Sequence, residues 1–123
     1  MSIKPGSIQA MTGMDKSGTF PVDMIAGETD PDGYDGLVLP GGVANPDKLR
    51  MNRAAVGLVR AFFDARKPVA AICHGPWTMI DAGVLEGRTL TSYPGLRADL
   101  TNAGACWVDE QCHVDQRLVT SRH

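Results

Sequence analysis

The order of apolar and polar positions along the chain predicts strands alternating with helices. Gly36-Leu37-Val38-Leu39-Pro40 is a continuous apolar run ending in Gly41-Gly42. A strand apolar on both sides is expected where helices cover both faces of a sheet. Val56, Val59 and Phe63 recur at helical spacing, as do Leu58 and Phe62, so a helix is predicted over residues 53–66, capped by Asn52. Residues 67–72 (Lys-Pro-Val-Ala-Ala-Ile) form a second buried strand, followed by a sharp corner at Cys73-His74-Gly75. Pro76 then opens a helix to Ala82, at a position where its missing N–H costs nothing, and Gly83 ends it. Residues 88–93 read as a strand, 96–103 as a short helix, and 106–108 and 112–114 as short strands joined by Asp109-Glu110-Gln111. Leu118–Ser121 is predicted as a further strand. Ahead of this region, residues 1–35 are rich in Gly and Pro; Ser7–Thr12 and residues 19–24 read as two pieces of a small hairpin.

Strand–helix–strand–helix–strand is the pattern of an α/β layered fold with a largely parallel sheet. Ligands of such sheets bind at the carboxyl ends of the strands. Both glycine-bearing corners, Pro40-Gly41-Gly42 and Cys73-His74-Gly75, fall there.

Composition narrows the class. At 123 residues the chain is one domain at most, and 43% hydrophobic with 21% charged residues is ordinary globular usage. No apolar run approaches the ~20 residues of a membrane span. The formal charge of −2 excludes a generally basic nucleic-acid binder. Three cysteines (Cys73, Cys106 and Cys112) without an export signal predict reduced thiols and a cytoplasmic setting. They show no C-x-x-C pair, and with His113 they lack metal-site spacing, so no metal is predicted.

The chemistry concentrates at one corner. Ala71-Ile72-Cys73-His74-Gly75 has the build of a nucleophile elbow, in which small residues two before and two after the nucleophile let the two arms approach. Cys73 then projects at the start of a helix, whose free N–H groups favour an anion. The competing reading is a small buried hydrophobe. His74 serves as general base or acid only if the corner turns its side chain and that of Cys73 to the same side; the competing reading is a histidine packed under the turn. Its backbone N–H, with one from the Gly41-Gly42 pair, is placed to hold an oxyanion. A carboxylate is wanted to orient His74, and the candidates are Asp47, Glu28 and Asp81. Trp77 and Trp107 read as core or pocket walls. Arg88, Arg97 and Arg122 read as surface charges, one of which could hold an anionic substrate.

Several longer stretches resemble one family. They are Leu37-Val38-Leu39-Pro40-Gly41-Gly42, residues 67–76 ending in Cys73-His74-Gly75-Pro76, and Gly87-Arg88-Thr89-Leu90-Thr91-Ser92-Tyr93-Pro94. Asn102-Ala103-Gly104-Ala105, Trp107-Val108-Asp109-Glu110 and Leu118-Val119-Thr120-Ser121-Arg122 continue the match. Together they are similar to the ThiJ/PfpI family, in its PfpI-like intracellular protease and deglycase branch, within the class I glutamine amidotransferase-like superfamily.

The resemblance implies a flavodoxin-like three-layer α/β sandwich. It implies Cys73 as nucleophile, His74 as its partner, and the backbone N–H groups of Gly42 and His74 as oxyanion donors. Asp47 matches an acidic residue that reaches the histidine of a neighbouring copy, so a homo-oligomer is implied. The implied activity is glyoxalase III-like or deglycase action on small reactive carbonyls or glycated groups, without metal or organic cofactor. The alternatives are a cysteine peptidase, a redox-sensing stress protein without turnover, and an inactive fragment. The family opens with a strand and a helix carrying a glutamate, and closes with a helix; neither has a counterpart here. A partial domain over residues 1–123 is therefore expected, with Leu37–Leu39 exposed at a sheet edge.

Overall fold

The computed structural model describes residues 1–123. Strands β1 (Ser7–Thr12) and β2 (Asp15–Pro21) form the predicted hairpin, with the second strand four residues earlier than expected. Gly13, at φ +63°, makes a two-residue turn with Met14, which brings Thr12 opposite Asp15. Gly18, a breaker by composition, lies inside β2, where the Gln9 side-chain amide donates to the carbonyls of Ser17 and Gly18.

The central sheet contains β3 (Leu37–Leu39), β4 (Val69–Ile72), β7 (Cys112–Asp115) and β8 (Leu118–Ser121), in the order β3-β4-β8-β7. The first three are parallel and β7 is antiparallel to β8. Strands β5 (Thr89–Leu90) and β6 (Cys106–Trp107) form a separate parallel pair. Strands are found at both 106–107 and 112–115, as predicted; they pair elsewhere, β6 with β5 and β7 with β8.

Four helices complete the fold: α1 (Ala44–Arg50), α2 (Arg53–Asp64), α3 (Pro76–Asp81) and α4 (Arg97–Asn102), the last entered through a 3-10 turn at Pro94–Leu96. Asn52 caps α2 as predicted, its side chain accepting from the Ala55 N–H at 2.9 Å. Helix α1 was not predicted, because Gly41, Gly42 and Pro46 read as a loop. Pro46 in fact sits in the first turn, where no N–H is needed. No helix is long and apolar enough to cross a membrane.

One core unites the layers. Leu39, Val69, Ala71 and Leu118 on one sheet face join Leu58, Val59 and Phe62 of α2 and Met79 of α3. The other face is not covered as the apolar pattern of Leu37–Leu39 suggested. Val38, Ala70, Val119 and Val114 stand in register across it, and Val38 and Val114 are 63% and 61% exposed. Strand β3 is an edge strand.

Phe62 is completely buried, so Phe62→Ala should lower the unfolding free energy by about 3–5 kcal/mol. Val38→Ala on the open face should change it by about 0.5 kcal/mol or less. Urea titration followed by circular dichroism measures both.

Candidate active site

The parallel strands β3, β4 and β8 all end on one side, at Pro40-Gly41-Gly42, Cys73-His74-Gly75 and Ser121-Arg122. Cys73 has φ +58°, a left-handed conformation that costs a side-chain-bearing residue about 1–2 kcal/mol. Backbone hydrogen bonds hold it there. The Cys73 N–H donates to the Ser121 carbonyl at 2.9 Å, the Tyr93 N–H donates to the Cys73 carbonyl at 2.9 Å, and the Gly75 N–H donates to the Ile72 carbonyl at 2.8 Å.

Two glycines let the arms of the corner meet. A Cβ on Gly75 would lie 2.5 Å from the Leu39 carbonyl oxygen, and one on Gly41 would lie 2.8 Å from the Cys73 Cβ. The strand-to-helix corner predicted from small residues flanking Cys73 is therefore present, and close contact is its physical basis.

Cys73 and His74 are brought together. Sγ lies 3.2 Å from Nδ1 of His74, and both residues are half-buried. Adjacent residues on a straight strand would point apart; the left-handed turn at Cys73 swings them to one side. The backbone N–H groups of Gly42 and His74 donate to nothing within the chain, so both stay free for an acceptor. Gly42 has φ +78° with open space beside it.

The three candidate carboxylates do not meet His74. Asp81 is bound to Arg50 Nε at 2.7 Å. Glu28 is exposed at the end of a 3-10 turn, and Asp47 is exposed in the first turn of α1; neither carboxylate is hydrogen-bonded in the chain. The arginines are engaged elsewhere: Arg88 with the Val84 carbonyl and the Phe63 ring, Arg97 over Trp107, and Arg122 with Asp109. Cys106 and Cys112 are exposed, and no three His, Cys, Asp or Glu side chains come together as a metal-binding group.

Tyr93 is the site residue that sequence reasoning missed. Its ring stacks on His74, with centroids 4.5 Å apart and planes at 21°. Residues 88–93 read as one strand, which hid it. The structure ends β5 at Leu90 because the later donors go elsewhere: Thr91 N–H to Thr120 Oγ1 and Tyr93 N–H to the Cys73 carbonyl. Pro94, which has no N–H to give a ladder, was the available signal.

The left-handed strain gives an expected result. Cys73→Gly should be more stable than Cys73→Ala by about 1 kcal/mol, because glycine adopts positive φ without steric penalty. Gly75→Ala should be destabilised by about 1–3 kcal/mol by the clash with Leu39. Parallel urea titrations of the three variants check this ordering.

Comparison with known proteins places the chain. The model of the DJ-1/PfpI family matches residues 2–123. Deglycase PfpI of Pyrococcus furiosus is 52% identical over 102 residues, covering 83% of this chain and 61% of that protein. Putative cysteine protease YraA of Bacillus subtilis is 41% identical over 101 residues, covering 82% and 59%. The crystal structure of a ThiJ/PfpI domain protein from Brachyspira murdochii superposes with a TM-score of 0.88 at 25% identity, covering 98% of this chain and 68% of that one. The chain spans about three fifths of the length of the curated relatives it matches. With that likeness over nearly its whole length, and a cysteine at a left-handed strand-to-helix corner, the chain belongs to the DJ-1/PfpI family.

Proposed function

We propose that the protein is a cysteine-dependent enzyme acting on small reactive carbonyls or glycated groups, as a deglycase or glyoxalase III-like catalyst. The observation that carries this reading is the Cys73 Sγ at 3.2 Å from His74 Nδ1, with the backbone N–H groups of Gly42 and His74 left without a partner in the chain. The likeness to a protein named Deglycase PfpI supports the substrate class.

With methylglyoxal, the Cys73 thiolate adds to the aldehyde carbon. The oxygen of the resulting hemithioacetal receives the N–H groups of Gly42 and His74 as its negative charge develops. His74 takes the proton from the former aldehyde carbon, and a proton returns to the neighbouring carbon through the enediol. This leaves a thioester of lactate on Cys73. Water then hydrolyses the thioester, releasing lactate and the thiolate, so the balance is methylglyoxal plus water to lactic acid. In deglycation the same thiolate would act on the carbonyl-derived carbon of an early adduct and free the amine.

His74 lacks a carboxylate partner within its own chain, while the exposed Asp47 carboxylate lacks one of its own. Asp47 of a neighbouring copy orienting His74 satisfies both in a homo-oligomer. The second reading is a cysteine peptidase, favoured by the likeness to YraA, in which the same thiolate attacks an amide carbonyl.

Lactate formation from methylglyoxal tests the first reading. Cys73→Ser should fall to the uncatalysed rate, and His74→Ala should lose about 10²–10⁴-fold. Full consumption by Cys73→Ser would remove the mechanism. Release of peptides from casein without lactate formation would favour the peptidase. For the oligomer, Asp47→Ala and Cys73→Ala should each be impaired alone, and mixing them should restore part of the activity. No recovery on mixing, with subunit exchange verified, would remove the shared site.

A further inference from the structure

Residues 91–93 are tied down by several hydrogen bonds where the chain passes from the core to the exposed turn at 93–95. Ser92 is completely buried, and its hydroxyl is used on both sides. It donates to the Tyr93 carbonyl at 2.8 Å and accepts from the Trp107 indole N–H at 3.0 Å. The preceding Thr91 is also fully buried, with its hydroxyl donating to the Glu110 carbonyl at 2.9 Å. The Tyr93 N–H reaches the Cys73 carbonyl. Tyr93 is therefore anchored through both of its backbone polar groups, although its side chain faces solvent and makes no hydrogen bond within the chain.

We infer that Ser92, Trp107 and Gly95 are positioning residues for His74, acting through the Tyr93 ring. The inference deepens the enzymatic reading given above and rests on it for its catalytic meaning. Each of the three residues constrains Tyr93 differently. Trp107 fixes the Ser92 hydroxyl, which fixes the Tyr93 carbonyl. Gly95 leaves room behind the ring: a Cβ there would lie 2.9 Å from Cε1 and 3.2 Å from Cδ1 of Tyr93. Held from behind and below, the ring lies flat against the imidazole at 4.5 Å.

This placement matters because His74 has so few other restraints within its own chain. Its only side-chain hydrogen bond in the chain is with the cysteine it serves. A thiol at one ring edge leaves the imidazole free to rotate about its own axis. A flat ring on one face removes that freedom, and with it the orientations that turn Nδ1 away from Sγ. Stacked aromatic pairs supply enough free energy to bias such a rotation. The Trp77 ring, 6.1 Å away and tilted by 59°, borders the imidazole at a larger distance.

Ring-proton NMR of His74 tests the inference directly, because a stacked Tyr93 shifts those protons upfield. The full chain would be compared with Ser92→Ala, Trp107→Phe, Gly95→Ala and Tyr93→Phe. In the first three, the upfield shift should shrink, and alkylation of Cys73 by iodoacetamide should slow about two- to tenfold, the factor that loss of one aromatic pair corresponds to. Tyr93→Phe keeps the ring and should retain both properties. Gly95 is exposed, so Gly95→Ala carries the test if the buried Ser92→Ala does not fold. Unchanged His74 shifts in the folded variants of Ser92 and Gly95 would overturn the inference and leave these residues purely structural. If the shifts move as expected but the parent chain forms no lactate from methylglyoxal, the positioning stands and the glyoxalase reading fails.

Discussion

Gly75 has no room for a side chain, because the Leu39 carbonyl oxygen of the neighbouring strand occupies the space beside it. That contact brings the end of β3 against the start of α3, and everything chemical follows from it. The loop carrying Gly42 is delivered beside Cys73, and the chain between Ile72 and Gly75 must turn within three residues. The turn is closed by placing Cys73 in the left-handed region, at a cost that its surrounding hydrogen bonds offset at roughly 1 kcal/mol each. Strain of this kind persists only where neighbouring structure over-determines it. Here the neighbours are three separate parts of the chain: Ser121 at the end of β8, Tyr93 after β5, and Leu39 at the end of β3.

The same strands that end at the site carry the bare face of the sheet. Ile72, immediately before Cys73, is partly exposed on that side with Val38 and Val119. A parallel sheet normally buries both faces, and each Å² of apolar surface withdrawn from water contributes about 25 cal/mol. With helices packed on one face only, the central strands receive their hydrophobic stabilisation from one side. The hydrogen bond from the Cys73 N–H to the Ser121 carbonyl joins the end of β4 to β8, so the rigidity of Cys73 is tied to the rigidity of this half-covered sheet.

The parts of the fold legible in the sequence were those set by local chemistry. Asn52 capping α2, Pro76 opening α3 and the apolar runs of β3, β4 and β8 each depend on neighbouring residues alone. The corner at Cys73 was legible because its packing demand falls on residues two positions away, Ala71 and Gly75. What was not legible depended on distant partners. Strand β5 stops at Leu90 because Thr120, far along the chain, takes the next N–H. The partners of the short strands at 106–107 and 112–115 lie in other parts of the chain, β5 for the first and β8 for the second. Helix α1 hid behind glycine and proline, whose meaning depends on whether they lie before a helix or in its first turn. Cys73 and His74 could be paired from sequence, but the aromatic wall over His74 could not, since Tyr93 lies nineteen residues beyond it and arrives through backbone contacts.

His74 shows how charge and packing divide the work at this site. The acidic side chains on the surrounding helices and loops are largely committed elsewhere: Asp81 to Arg50, Asp99 to the Trp77 indole, Asp109 to Arg122 and Glu110 to His113. Exposed pairs of this sort add little stability, typically 0–1 kcal/mol. Their larger consequence is that they hold these carboxylates in other geometries, away from the imidazole. Within its own chain the histidine meets only the flat face of an aromatic ring and the sulfur of Cys73, contacts that restrict its direction. The other ring nitrogen makes no hydrogen bond within the chain, and the enzymatic reading proposed above needs that nitrogen open to a proton donor or acceptor.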